Sequence, residues 1–373
     1  MPSRPSSFAA RIGAWQRRHG RSDLPWQRTR DPYRIWISEI MLQQTQVATV
    51  IPYFERFIAR FPDVSALAAA SADEVMRLWS GLGYYARARN LHRAARAVVE
   101  LHAGRFPRSA QDIEALPGIG RSTAAAIMAF AAGEPRAILD GNVKRVIARH
   151  FGIGGAVDSP AVLARLWAIA ESLVPGKGVE RYTQGLMDLG ATLCARSRPD
   201  CPRCPVRETC AALRDGRIAQ LPGRKVARPA QVRMVAMLVV VSQGEVLVEK
   251  RPPSGIWGGL WSLPEAPADA DPAAWVAKAF DIRAGSVEAL APFTHAFTHF
   301  TLRVTPWLLW TRRRGKSAAQ AQAMWLALQE AQAAALPAPV KRLLERLPRE
   351  APSRGDSARA GPGAGSQGGR RDR

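Results

Sequence analysis

Cysteine is scarce in this chain: there are four in 373 residues, and all four lie between positions 194 and 210. Thiols so few and so clustered exclude a disulfide scaffold and read as metal ligands rather than cross-links. Long apolar runs are also missing. A run such as MVAMLVVV at 234–241 is far too short to span a bilayer, so no membrane association is expected. The opening MPSRPSSFAARIGAW has an early Arg but neither an apolar h-region nor a small-residue cleavage site. No secretory signal is expected there, and a reducing, cytoplasmic setting is. Acidic residues are in deficit, with 31 Asp and Glu against 53 Lys and Arg, a formal net charge of +22. That surplus exceeds what solubility needs and matches a polyanion, nucleic acid first.

The length suits two or three domains. Up to about residue 210, SADEVMRLWSGL, ARNLHRAARAVVELH and AVLARLWAIAESLV place apolar residues three and four apart, the period of helices. A helical domain is expected over 1–220. LPGRKVARPAQVR breaks the pattern with prolines and cations, and 221–232 reads as a linker. Beyond it, MVAMLVVV, GEVLVEKR and FTLRVTPWLLW carry β-branched and aromatic residues, with SQG as a turn between the first two. An α+β domain is expected over 233–350. Residues 351–373 have almost nothing to bury and read as a disordered basic tail.

Cys194, Cys201, Cys204 and Cys210 are spaced C-x6-C-x2-C-x5-C. Only the central pair has the knuckle spacing of a structural zinc site, so zinc is the second assignment. Four thiolates around one compact centre suit a 4Fe-4S cluster better. Arg196, Arg198, Arg203 and Arg207 stand among them and can offset thiolate charge or meet phosphates.

Upstream, ALPGIGRSTAAAIMAF sets Gly118 and Gly120 between two helical stretches. Such a turn lets backbone amides at a helix start bind a phosphate without reading a base, though it is equally a plain connection. Asp140 in ILDGNVKRVIARHFG precedes a helix, where a cap is the ordinary role. Asp31-Pro32 opens another helix, and Glu39 follows among Ile35, Trp36, Ile40 and Leu42. Most helical Glu are solvated. Apolar neighbours can, however, hold a carboxyl proton near neutral pH, as a general acid requires. GLGYYARARNLH interleaves Leu82, Tyr84 and Tyr85 with Arg87 and Arg89, a composition for base stacking and phosphate contact or for core packing.

Hairpin, Asp140 and four-cysteine loop, in that order, resemble the helix-hairpin-helix DNA glycosylases with a C-terminal 4Fe-4S loop, the endonuclease III and MutY group. SEIMLQQTQVATVIPYFERF resembles the MutY branch, as do RPPSGIWGGLWSLPE and HAFTHFTL in the second half. The resemblance implies an all-α glycosylase domain with the cluster loop, followed by an α+β Nudix-like domain. It makes Glu39 the acid that protonates adenine at N7 and Asp140 the stabiliser of the sugar cation. It assigns Gln44, Thr45, Leu82 and Tyr84 to the wedge around 8-oxoguanine, and Gln184 to the flipped adenine. Phe297, Thr298 and His299 stand where the family usually reads Phe-Ser-His against 8-oxoguanine, with Thr298 adding a methyl. Ser122 occupies the position of the endonuclease III lysine, so the amine for covalent lyase chemistry is missing.

The expected partner is double-stranded DNA with adenine opposite 8-oxoguanine or guanine, met by a monomer associated with the bacterial nucleoid. Hydrolysis of nucleoside diphosphate derivatives is disfavoured, because no G-x5-E-x7-R-E-x2-E-E-x-G box follows WSLPE. Two alternatives are a bifunctional pyrimidine-lesion glycosylase, opposed by Ser122 and the extra domain, and a non-enzymatic iron–sulfur DNA-binding regulator.

Overall fold

The computed structural model describes residues 7–223, 231–297, 299–312, 322–331 and 333–347. The chain forms two compact units. Residues 1–229 and 252–260 make the first, and residues 230–251 and 261–373 the second.

The first unit is helical: α1 Phe8–His19, α2 Pro32–Leu42, α3 Val47–Arg60, α4 Val64–Ala69, α5 Ala72–Trp79, α6 Ala86–His102, α7 Ala110–Glu114, α8 Arg121–Ala132, α9 Gly141–His150, α10 Pro160–Ser172, α11 Val179–Thr192 and α12 Ala211–Arg214. Helix α2 is apolar nearly all round, which marks a helix enclosed by others. Tyr33, Ile35, Trp36, Ile37, Ile40 and Met41 are all buried. Its start is fixed by Asp31, whose carboxylate accepts from Tyr33 N at 3.0 Å, with Pro32 as the first helical residue. α8 packs against α2, and Ala124, Ala125, Ala126 and Ala129 are buried in it, small enough for two helices to approach closely. A second cluster gathers Ile12, Val143, Ile147, Leu166, Leu186 and Leu189 from α1, α9, α10 and α11. The site lies between these two packed groups.

The second unit holds β1 Gln231–Ser242, β2 Glu245–Lys250, β3 Trp261–Ser262, β4 Glu265–Pro267, α13 Pro272–Phe280, β5 Ser286–Ala289, β6 Phe293–Ala296, β7 Phe300–Trp310, β8 Ala323–Ala327 and α14 Ala338–Leu344. The sheet order is β3-β2-β1-β7-β5, with β4 on β1, β6 on β7 and β8 on β2. β1 and β7 run parallel from Gln231 opposite Phe300 to Val241 opposite Trp310. Residues 236–242 are all buried, as a strand covered on both faces requires. Ala236, Leu238 and Val240 pack with Val276 and Phe280 of α13. The SQG turn is a two-residue hairpin: Gln243 and Gly244 have φ of 50° and 77°, left-handed as the turn that follows strand twist demands.

The strand begins at Gln231, inside the segment read as linker, because its first residues pair with β7 although they are exposed. Residues 252–260 cluster with the first unit although they follow β2 in sequence. Residues 224–230 of the linker and the whole tail 351–373 lie outside the described residues.

Candidate active site

A cleft of about 1790 Å³ opens in the first unit and has both Glu39 and Asp140 in its wall. That is larger than a pocket for one small molecule. Its lining cations, Arg17, Arg21, Arg30, Lys144, Arg145, Arg149, Arg181 and Arg196, outnumber the acids Glu39, Asp140, Asp158 and Glu180. Such a wall suits a polyanionic chain with one residue drawn in.

Glu39 projects from the last turns of α2. Burial of its carboxyl, and next the charge of Asp140, raise its pKa to about 8. At neutral pH the group therefore holds its proton. Asp140 caps α9, with Oδ1 accepting from Val143 N at 2.8 Å and Oδ2 from Asn142 Nδ2 at 3.4 Å. Burial raises its pKa as well, but the Val143 and Asn142 amides and the Arg145 charge oppose the rise. Its donors favour the anion. The cap and the cleft-lining carboxylate are thus one residue, and capping is what immobilises it.

Ser122 lines the same cleft near the start of α8, and its hydroxyl accepts from Leu139 N at 2.9 Å. It therefore fixes the backbone one residue before Asp140. Gln184 of α11 also lines the cleft and donates to Asp188 Oδ1 at 2.9 Å. Asp188 is fully buried and is met by Arg21, through Nε at 2.7 Å to Oδ1 and through the backbone N at 2.9 Å to Oδ2. Neither Arg21 nor Asp188 was anticipated. The four-residue spacing from Gln184 on a helix could have revealed Asp188; nothing in the sequence points to Arg21.

The hairpin joins α7 and α8. Gly118 has φ of 80°, and a Cβ there would lie 2.6 Å from the Asn90 Cβ, so glycine is required on both counts. Gly120 is the residue before α8, with open space where a Cβ would be, which leaves the helix amides approachable.

Residues 37–172 match the HhH-GPD superfamily of base excision DNA repair proteins, and residues 235–346 match a NUDIX domain. Over 347 residues the chain is 34% identical to the adenine DNA glycosylase of Buchnera aphidicola subsp. Acyrthosiphon pisum (strain APS), covering 91% of this chain and 97% of the relative. The adenine DNA glycosylase of Mus musculus is 34% identical over 385 residues, 87% of this chain and 75% of the mouse protein. The chain belongs to the adenine DNA glycosylase family. Its activity is that of a base-excision repair glycosylase acting on adenine. A solved thermostable thymine-DNA glycosylase is also similar, at 34% identity and a TM-score of 0.52, over 56% of this chain and 95% of its own. Helical glycosylase domain and Nudix-like α+β domain thus agree with the fold read from sequence.

The residues expected to form the glycosylase's wedge fall into two loops. Gln44 is exposed and Thr45 half-buried, both on the cleft wall after α2. Tyr84 is 49% exposed between α5 and α6, so it is presented rather than packed. Leu82 is only 6% exposed. In this structure it is packed in the loop that follows α5.

The four cysteines lie together around one small apolar cavity with Arg149, Val206 and Arg207. Burial and the neighbouring cysteines push the Cys204 thiol up to about 11, against a hydrogen bond from the Val206 backbone. Among the described residues no three His, Cys, Asp or Glu side chains are disposed to hold a metal ion. The donor set nevertheless has the chemistry for a thiolate-ligated centre. Helix α9 grips this loop: Arg145 donates to Cys194 O at 2.8 Å, and Arg149 to Ala195 O at 2.7 Å and Leu221 O at 2.8 Å. These two arginines were also missed, since only the folded chain brings them to the loop.

In the second unit, Phe297 and His299 lie in the connection between β6 and β7, closed by Phe297 N donating to Phe300 O at 2.8 Å. Phe297 stacks on Phe300 at 4.6 Å between centroids, and His299 is exposed. Thr298 lies outside the described residues.

Proposed function

We propose that this glycosylase removes adenine paired with 8-oxoguanine, and with guanine, by hydrolysis and without strand cleavage. The observation that supports the reading best is two carboxyl groups in the wall of one cationic cleft in unlike surroundings: Glu39, raised to about 8 by burial and the Asp140 charge, and Asp140, whose rise on burial is opposed by donors from Val143 and Asn142 and by the Arg145 charge. The target adenine leaves the stack and enters the cleft. Glu39 donates its proton to adenine N7, which turns a poor anionic leaving group into a neutral one. As the bond from N9 to the sugar C1′ breaks, positive charge develops on the sugar, and Asp140 stabilises it electrostatically. Glu39, now a carboxylate, takes a proton from water as the oxygen attacks C1′, which restores the acid. Ser122 offers a hydroxyl already engaged with Leu139 rather than an amine, so no imine to the sugar forms.

In this reading Gln184, preset by Asp188, meets the adenine edge. Gln44, Thr45, Leu82 and Tyr84 serve the opened duplex, and Leu82 must leave its packed position to do so. Gly118 and Gly120 present amides to a phosphate. Phe297, Thr298 and His299 contact the 8-oxoguanine partner. Cys194, Cys201, Cys204 and Cys210 would hold a 4Fe-4S cluster, which supplies a cross-link for the loop that α9 grips rather than a step of the reaction. The protein acts as a monomer.

The test is single-turnover incubation with duplexes carrying adenine opposite 8-oxoguanine, developed with and without alkali, beside duplexes carrying thymine glycol or a thymine opposite guanine. Scission of the adenine strand only after alkali is expected. Scission without alkali, or preference for either thymine duplex, would overturn the proposal.

A further inference from the structure

Arg87 has no part in the reading above, yet both terminal nitrogens of its guanidinium are engaged, while its buried Nε has no hydrogen-bond partner among the described residues. It is 8% exposed, and its guanidinium meets only neutral oxygens. Nη1 donates to Ile40 O at 2.9 Å, Met41 O at 2.7 Å and Gln43 O at 2.5 Å. Nη2 donates to Thr45 Oγ1 at 3.1 Å, Gly83 O at 3.1 Å and Leu82 O at 3.4 Å. Its carbon lies 5.3 Å from the Trp79 ring and 5.5 Å from the Tyr84 ring.

One set of acceptors is the C-terminal end of α2, where helix carbonyls lack helical partners and a cation complements the dipole. That end begins at Ile40, the residue after Glu39. The other set is the loop between α5 and α6 that presents Tyr84. In each loop a non-glycine residue follows directly on a gripped carbonyl and is left-handed: Gln44 with φ of 57° and Tyr84 with φ of 48°. Such conformations persist only where their surroundings over-determine them.

We infer that Arg87 is a positioning residue that clamps the Gln43–Thr45 and Leu82–Tyr84 loops to each other and to the Glu39 helix. The groups that part the duplex and the group that protonates the base then keep one register. The inference rests on the proposed function for the roles of those loops. The clamp needs the flat fork of a guanidinium, with donors on two nitrogens aimed at two loops; an ammonium supplies the charge from a single point and cannot span them.

Arg87→Lys and Arg87→Met in the full chain test this. Adenine release is measured in single turnover from a duplex with adenine opposite 8-oxoguanine and from a duplex with a single bulged adenine, which needs no pair to be opened. Both variants are expected to lose about thirtyfold or more on the paired duplex and less than about threefold on the bulged one. With 2-aminopurine in place of the adenine, the fluorescence rise on binding is expected to shrink. Equal losses on the two duplexes, or no loss on either, would overturn the inference. Hydrogen exchange gives an answer that needs no activity: amides at 43–45 and 82–84 are expected to exchange faster together in Arg87→Lys, with the α9 amides unchanged. If only one loop responds, or neither, there is no clamp. A wild-type protein that releases no adenine from either duplex refutes the proposed function instead, and exchange still decides the clamp. Should Arg87→Met fail to fold, Arg87→Lys carries both measurements.

Discussion

Glu39→Gln is expected to make the protein more stable and nearly inactive. The substitution keeps the size and one hydrogen-bonding oxygen of the side chain but removes the titrating proton. The carboxyl sits at about 8 in the folded protein against 4.5 when free. At about 1.4 kcal/mol for each tenfold change in proton affinity, the ceiling on the cost of ionising it in place is about 5 kcal/mol. Glu39 borders an open cleft, where solvent and side chains relax around a charge, so a net gain of about 1–2 kcal/mol is the working figure. The sign follows from linkage. This acid is raised on folding, so the unfolded chain loses its proton first as pH rises, and wild-type stability falls from near pH 4.5 through pH 8. Glutamine has no such dependence. The gain in apparent Tm over wild type, scanned at one fixed rate, should therefore be small at pH 5 and largest at pH 9. Single-turnover adenine release should fall by about a hundredfold or more, the worth of a positioned general acid. In wild type the rate should decline above an apparent pKa near 8. A variant within threefold of wild type in rate, or one whose Tm advantage does not grow with pH, would refute the assignment of Glu39 as a buried, protonated acid.

Asp140 has two tasks that substitution can separate. Asp140→Asn keeps an N-cap and should hold its melting temperature while losing about a hundredfold in rate, whereas Asp140→Ala should lose the rate and about 1 kcal/mol of stability as well. Asp188→Asn leaves the Arg21 cation beside a neutral amide and is expected to destabilise the protein by about 2 kcal/mol in urea titration; an unchanged midpoint would mean the pair is solvated. Purified protein should carry iron-type visible absorbance that Cys204→Ser diminishes, and a colourless protein with one zinc would overturn the cofactor proposal. Affinity for duplex DNA should fall steeply and linearly on a logarithmic salt scale, and a flat dependence would deny the cleft its phosphates.

What the sequence disclosed was local. Asp31-Pro32, the glycines of the hairpin and the SQG turn each encode a conformation within a few residues, and each element stands where that encoding put it. Pairings over distance were not legible. Nothing near Gln231 announces a parallel partner at Phe300, and nothing in Arg21 announces Asp188, which lies 167 positions away. The same limit explains Leu82 and Arg87. Their types fit a surface stacking motif as well as a core, and only the closed loop decides that Tyr84 is presented while Leu82 and Arg87 are buried.

Asp140 shows why the bland and the functional readings of a residue need not compete. A free aspartate on a loop samples several rotamers, and its carboxylate is worth little to a developing cation because water must reorganise around both. The α9 amide of Val143 and the side chain of Asn142 hold this one in place before any substrate arrives. Ser122 holds the backbone ahead of it. The cap is therefore the preorganisation, and its two interactions favour the anion over the acid. Burial works against them, and it acts without such opposition on Glu39. One cleft thus gives two chemically similar groups unlike surroundings: both are raised by burial, and only Asp140 has hydrogen-bond donors and a cation, Arg145, opposing the rise. Had a residue without a side-chain acceptor started α9, the helix would have lost its cap and the cleft its second carboxyl group together.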